Sequence, residues 1–580
     1  MKKGITLDLD IPIMMDDGLA LMANAFLPSG NGKYPALVSI GPYGKDLVFR
    51  ESYPDEWNYM VHNFPETVEG TSGDYAVFES IDPEIWVKQG YAVLRVDSRG
   101  SGRSQGYLDP LSIREALDAY ACIEWVARQK WSNGKVGMAG ASYYAMIQWS
   151  TAALNPPHLS AICPWEGGAD LYRDVVYHGG IPCYSFVSMW YSNLVRNPQH
   201  GIAKGQPAIK GGHVAGMGVP DEESLENSRV DLVREIKDHK MDDKFYDRSP
   251  DLRKIRVPLL SCGNWGSMGL HLRGNTEGFI LASSREKWLE IHGGPHWVTF
   301  YTRYGRKLMA AFFDHYLKGI DNGWEKTPKV LLWLRHATGD YELRTGNSWP
   351  LGGTARLYIG YNSGLYSEAP ARDGYAEYRS DSEGITFMTS PLKGPIWILG
   401  PVVSDLHVSS SCTDADIFVI LRVFQPDMKE VTFYDFLDPH TPAGVGWLRA
   451  SHRREKRGMT LPWRPYHSHT KIEPLKPGIV YRIRVEVSPT GLLVPRGYRI
   501  GLSIRGRDYE YGGGEVKFGR VVMRGTGPFY HEALDRNYTV RVHYGPRMRS
   551  CVILPLADNS LRVRNGYGSM VSGYRFPRPF

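Results

Sequence analysis

GMAGASYYAMIQW, residues 137–149, joins a short β-rich run to an apolar, helix-prone run, with Ser142 at the junction. Gly140, two residues before the serine, is what a tight strand-to-helix turn requires, because the backbone there crowds past itself. Such a turn lifts a hydroxyl above the edge of a sheet and aims a helix N-terminus, with the Tyr143 N–H, at any oxyanion formed beside it. The residue two after the serine is Tyr144, so the fuller Gly-x-Ser-x-Gly pattern is absent. A Gly-x-Ser triplet alone equally describes a serine that caps a helix. The surrounding sequence has to decide between the two.

Upstream of this turn, YPALVSIGPYG and GYAVLRVDSRGSGRS read as strands, and REALDAYACIEWVARQ reads as a helix. In that helix Ile113, Leu117, Tyr120, Ile123 and Val126 recur every three to four residues, which predicts one apolar stripe against a sheet. Downstream, LSAICPWEG (159–167), VPLLSCGNW (257–265) and KWLEIHGGPHW (287–297) are strand-like and end in Gly-rich or polar loops. Strands alternating with helices predict βαβ units and a parallel sheet. The segment from 168 to about 250 interrupts this order with an aromatic helical stretch (YSFVSMWYSNLV) and a charged one (DEESLENSRVDLVREIKDHK), a candidate lid. After GRKLMAAFFDHYLKGIDNG the texture changes near residue 328. Short alternating strands such as DIFVILRVF, YRIRVEVS and YTVRVHY, separated by turn residues, predict an all-β sandwich.

The 580 residues are too many for one core and fit two to four domains. The formal charge of +6 is spread along the chain, and its densest basic piece, SHRREKRGM (451–459), reads as a solvated loop, so nucleic acid is not an expected partner. The N-terminus lacks the apolar region of a signal peptide and no run of 18 apolar residues occurs, which predicts a soluble, cytoplasmic protein with no membrane partner. The six cysteines are scattered without a CxxC pair, so neither a metal site nor a disulfide framework is expected. The DSRGSGRS turn lacks the Lys-Ser/Thr ending of a phosphate loop and predicts a turn braced by Asp97 and Arg99.

Ser142 therefore stands at a candidate nucleophile elbow, and His296 in GGPHWVTFY follows the last strand of the α/β region, where a hydrolase carries its base. His292 and His271 are its rivals. GPYGKD, DSRGSGRSQG, GASYYA, ADLYR at 169–173, GGPHW and the C-terminal β module, taken together and in order, resemble the cocaine-esterase and X-prolyl dipeptidyl-peptidase group of α/β-hydrolases.

The resemblance implies an α/β-hydrolase core at 1–330 with a helical cap insert at 171–250, followed by a jelly-roll (galactose-binding-like) sandwich at 331–580. It implies a cofactor-free and metal-free serine hydrolase acting on a small ester or amide through an acyl-enzyme on Ser142. His296 is similar to the family's base. Tyr43 of GPYG is similar to the tyrosine whose hydroxyl joins the N–H of the residue after the serine, here Tyr143, in an oxyanion hole.

The acid departs from the family pattern. Where the family carries a Trp-Tyr-Asp type turn this chain has Asn264, Trp265 and Gly266. Glu166, at the end of the strand after the elbow, is the substitute that strand order favours, with Glu277 as the alternative and a structural ion pair to Arg99 or Arg173 as the plainer role. Asp170 is expected to serve the ADLYR turn. Ester hydrolysis is the leading activity. X-Pro dipeptidyl-peptidase, amidase or acyltransferase activity on the same parts stays open, as does a decayed, non-catalytic hydrolase acting as a binding protein, and so does assembly into a homo-oligomer.

Overall fold

A computed structural model describes residues 4–557, apart from 203–205, 210, 217, 219, 437, 519 and 520. Its first half is built on one twisted sheet. The strands are Ile5–Met14 (β1), Ala20–Pro28 (β2), Tyr34–Gly41 (β3), Ala92–Asp97 (β4), Ser132–Ala141 (β5), Leu159–Trp165 (β6), Leu259–Asn264 (β7), Lys287–His292 (β8) and Val330–His336 (β9). They lie in the order β1-β2-β4-β3-β5-β6-β7-β8-β9, with β1, β2 and β4 joined antiparallel and every pair from β4 and β3 onward parallel. Parallel strands are covered on both faces, which is why β3, β4 and β6 are apolar almost without interruption. The largest polar side chain among them, Arg95 on β4, is buried and donates to the carbonyls of Tyr75 and Ile81.

Five helices matter to the site: Ile113–Ala127 (α1), Tyr143–Ala153 (α2), Tyr184–Trp190 (α3), Leu272–Leu281 (α4) and Arg303–Phe313 (α5). Ser112 caps α1 by accepting the Glu115 N–H. The face of α1 that meets the sheet differs from the one expected. Ala116, Ala119, Cys122, Ile123 and Val126 are buried, whereas Ile113 and Leu117 are 56% and 39% exposed. Small side chains let the helix axis approach the strands closely, and this outweighs the burial of two larger residues at its N-terminal end.

The segment between β6 and β7 is a chain of short elements. A π-helical turn (Leu171–Val176) leads through a tight hairpin into α3 and a second π turn, Tyr191–Val195. The charged stretch expected as one helix forms two, Glu222–Asn227 and Leu232–Asp238, because Asp231 caps the second by accepting the Arg234 N–H. The Asp97 turn is held by backbone N–H groups of Lys45 and Arg103, while Arg99 reaches away to Asp118 and Asp17. Arg99 and Asp97 thus brace the turn from separate anchors.

Among the described residues from Tyr341 to Ala557 the regular structure is almost all β, with two short 3-10 turns at Tyr361–Ser363 and Ala450–His452. Ile396–Ser410 pairs antiparallel with Tyr481–Val494, and Asp416–Phe424 with both Gly444–Arg449 and Arg499–Arg505. Alternation with period two builds its core: Ile417, Val419, Leu421 and Val423 point inward with Ile483, Val485, Val487, Ile500, Leu502 and Ile504. Ile420, from the opposite face, joins Trp265, Leu289, Ile291 and Leu332 in a second apolar cluster that fuses the two halves. Strand β9 belongs to both: it extends the parallel sheet beside β8 and meets Tyr481–Val494 at its far end. Among the described residues no helix is long and apolar enough to cross a membrane.

Candidate active site

Ser142 sits between β5 and α2 with φ 53° and ψ −116°, and its side chain makes no capping hydrogen bond to the helix. The helix-cap reading of this serine is therefore set aside by its geometry. Gly140 has φ +155°, and a Cβ there would lie 2.3 Å from the Cβ of Tyr144. Only glycine fits that crossing.

Strained backbone gathers around the serine. Glu79, Ser142, Glu166 and Trp297 all hold left-handed φ values, at 61°, 53°, 51° and 60°. Non-glycine residues pay a conformational cost in this region, and such outliers concentrate at functional sites. The Ala141 N–H donates to the Glu79 carbonyl, and the Ser142 N–H to the carbonyls of Trp165 and Glu166, so the three turns are laced into one unit.

Glu166 is completely buried. Its Oε2 lies 2.7 Å from His296 Nδ1, and its Oε1 lies 3.2 Å from His292 Nε2. Neither arginine weighed as its partner is in contact with it, since Arg173 pairs with Asp170 and Asp242 and Arg99 with Asp118 and Asp17. Burial works to raise the Glu166 carboxyl, but the charge of His296 and the hydrogen bonds from His292 and His296 overcome it and hold the group far below the ordinary carboxylate range. Glu277 lies elsewhere: it faces Arg464 of the β region at 3.2 Å, and burial pushes its carboxyl up to about 7. Asp170 caps the π-helical turn at 171–176 by accepting the Arg173 N–H.

The three histidines separate by their partners. His292 is enclosed between Glu166 and Glu290. His296 spans two carboxylates, with Glu166 on Nδ1 and Glu79 Oε1 on Nε2 at 3.0 Å. Although burial opposes its charge, those two carboxylates lift its imidazole to about 10. His271 places Nε2 3.1 Å from Ser142 Oγ, while its Nδ1 accepts the Gly168 N–H at 3.0 Å. An imidazole that accepts at Nδ1 carries its proton on Nε2, so His271 is a donor toward Ser142 Oγ and the wrong tautomer to take the serine proton. Burial and the neighbouring His296 charge keep it neutral by depressing it well below 6.5. The His271 and His296 rings stack with centroids 5.3 Å apart.

Glu79, in AVFESIDP, has no motif around it that marks it in the sequence. Burial raises its carboxyl, opposed first by the hydrogen bond from His296. Tyr43 is buried and accepts a hydrogen bond from Trp190 Nε1 of α3 at 2.7 Å, which leaves its own O–H to donate. The Tyr143 ring turns away to Glu115 and the Leu111 N–H, so this residue can serve the site only through its backbone N–H at the start of α2. In the turn where the family's acid was expected, Asn264 accepts the Gly266 N–H and donates to the Gly294 carbonyl, tying the end of β7 to the loop that carries His296.

Residues 17–298 match the model of the X-Pro dipeptidyl-peptidase (S15) family, and residues 322–514 match that of the X-Pro dipeptidyl-peptidase C-terminal non-catalytic domain. A CocE/NonD family hydrolase from Staphylococcus aureus superposes with a TM-score of 0.82 at 30% identity, covering 95% of this chain and 94% of that one. The chain belongs to the CocE/NonD family of hydrolases. The cocaine esterase of a Rhodococcus species is 23% identical to it, over 94% of this chain and 98% of its own length. The fold is accordingly the α/β-hydrolase fold of the CocE/NonD group with a C-terminal β domain. Membership makes the protein a serine hydrolase of ester or peptide bonds.

Proposed function

We propose that this CocE/NonD hydrolase cleaves carboxylic esters through an acyl-enzyme on Ser142, with His296 as general base and Glu166 as the acid that orients it. The Glu166 to His296 contact of 2.7 Å carries this reading, because it supplies the carboxylate missing from the Asn264 turn. The relatives named as esterases, the cocaine esterase among them, support an ester substrate, while others are named putative Xaa-Pro dipeptidyl-peptidases.

His296 takes the proton of Ser142 as its oxygen attacks the carbonyl carbon, and returns it to the leaving alcohol. Water then attacks the acyl-enzyme by the same path. The oxyanion is held by the Tyr43 hydroxyl and the Tyr143 N–H at the positive end of α2. His271 donates from Nε2 to Ser142 Oγ in the resting enzyme and has to release it as the attack begins. Glu79 holds His296 Nε2 in the resting state, and the turn at 78–80 yields this nitrogen to the serine when substrate is bound.

Residues 1–330 form the catalytic unit in this reading. The insert at 171–250 acts as its cap, as the Trp190 to Tyr43 bond suggests, and 331–580 form a jelly-roll module whose last 23 residues, 558–580, lie outside the described residues. Ser142 is 8%, His296 5% and His271 1% exposed, so substrate entry requires part of the structure around them to move. A panel of aryl esters of increasing acyl length, run against dipeptidyl-proline anilides, tests the reading. Ester turnover lost in Ser142→Ala supports it; anilide cleavage that exceeds ester cleavage contradicts the substrate class.

A further inference from the structure

Far from Ser142 in function, the insert touches the β domain through the hairpin HGGIPC, residues 178–183. Tyr177 and His178 pair antiparallel with Pro182 and Ile181, which sets His178 and Cys183 on either side of one tight turn. Gly179 has φ +58°, and a Cβ there would lie 2.0 Å from the Trp447 carbonyl oxygen, so the turn is seated directly on the strand Gly444–Arg449. The Arg449 N–H donates to the Gly179 carbonyl and the Glu532 N–H to the Pro182 carbonyl. Beside this seam stands His531, whose side chain is fully buried.

The rings of His178 and His531 are locked from outside. His178 Nε2 donates to the Asp174 carbonyl at 3.1 Å. His531 Nδ1 donates at 2.8 Å to the Asp508 carboxylate, which also accepts the His531 backbone N–H. With both rings neutral, the remaining nitrogens, His178 Nδ1 and His531 Nε2, present lone pairs, and they face each other at 2.8 Å. Two lone pairs at that distance repel unless a cation joins them. Cys183 is completely buried, and its sulfur and the two nitrogens all lie within 4.8 Å of one another.

We propose that His178, Cys183 and His531 form a binding site for a borderline-soft divalent transition ion of the zinc class, which fastens the insert to the β domain. Two neutral imidazoles and one thiolate are the donors such an ion prefers. The Asp508 carboxylate and the Asp174 carbonyl are the outer partners that orient histidine ligands. A shared proton would also relieve the two nitrogens, whereas an ion also uses the sulfur that lies within 4.8 Å of both. Zinc–nitrogen bonds of about 2.0–2.1 Å need the nitrogens to separate by roughly half an ångström. The bonds formed are two from nitrogen and one from sulfur to the ion, with a water taking the fourth position of the tetrahedron. The bond broken is the Cys183 S–H, whose proton leaves to solvent.

The full-length chain, freed of any histidine tag, is stripped with a chelator and titrated with cobalt(II). The expected result is saturation near one equivalent, with a near-ultraviolet thiolate-to-cobalt band, visible bands of a tetrahedral ion, release of a proton, and a rise in the unfolding midpoint. Cys183→Ser should lose the near-ultraviolet band, and His531→Gln both the band and the rise in midpoint. Absence of the thiolate band in the wild-type titration overturns the proposal and leaves a proton between the two histidines. Because the wild-type titration decides the matter alone, a variant that fails to fold does not obscure it, and loss of Ser142 activity has no bearing on it.

Discussion

Glu166 Oε2 lies 2.7 Å from His296 Nδ1, although the two residues are 130 positions apart and hang from the ends of different strands. A carboxylate on the far nitrogen of a base histidine fixes its tautomer and stabilises its cation. In the proposed mechanism the contact takes the place of the aspartate that the Asn264 turn lacks.

Glu166→Gln keeps the shape of the side chain but presents an amide N–H₂ to Nδ1, which selects the wrong imidazole tautomer. The expected loss in kcat is about 10⁴-fold, as for the same change in other triads. Glu277→Gln leaves the buried Arg464 unpaired and costs stability, but in the folded protein it should leave kcat within a few-fold of wild type. Steady-state kinetics on one activated ester compares the two. Full activity in Glu166→Gln sinks the relocated acid.

Glu79 on Nε2 is one of two carboxylates that lift His296 to about 10. Removing one of them by Glu79→Gln lowers that value. The acid limb of kcat/KM, along which activity climbs as His296 loses its proton, should then move to lower pH by roughly one to two units. A uniform loss at every pH, with the limb unmoved, would make Glu79 itself the acceptor of the serine proton.

Much of this site was legible in the sequence, and the unread part has a physical cause. Strand ends and glycine turns betray themselves locally, so Ser142, Glu166 and His296 could be placed from the order of strands. The acid could be reached by strand position because β5 and β6 are neighbours and their ends necessarily open on the same edge. Glu79 leaves no such trace: it sits in a loop before β4, and its left-handed backbone is imposed by tertiary contacts. The separation of His271 from His296 depends on which proton the Gly168 amide leaves on the ring, and no sequence pattern carries that. In α1 the apolar periodicity was real, but Ile113 and Leu117 lie outside the buried face, because alanine and cysteine allow the closer approach.

Tyr43→Phe deletes the O–H and keeps the ring that packs against Tyr143 and Tyr144. The donor matters once the oxyanion forms, so kcat should fall by roughly 10²–10³ with KM little changed. Trp190→Phe, which removes the N–H that orients the phenol, should produce a smaller loss of the same kind. A change confined to KM makes Tyr43 a packing residue for substrate.

The Glu166–His296 pair also has a stability signature. Because folding raises His296 from 6.5 to about 10, its contribution to stability is complete below pH 6.5 and is lost as pH rises through 10. Glu166 is depressed on folding, so its contribution is complete above the ordinary carboxylate range and is lost as pH falls below it. Thermal unfolding of wild type and Glu166→Gln between pH 6 and 10 should therefore show the largest gap at the acid end of that range, closing toward the alkaline end. A gap that widens with pH contradicts the charged pair.

The most direct test of the whole account is covalent labelling with a fluorophosphonate, followed by peptide mapping. An activated serine attacks phosphorus and expels fluoride, so one phosphonyl group should appear per chain, on the peptide containing Ser142, and none on Ser142→Ala. Glu166→Gln should label far more slowly. A folded wild-type chain that takes up no label, or takes it up at another residue, contradicts the assignment of Ser142 as the nucleophile.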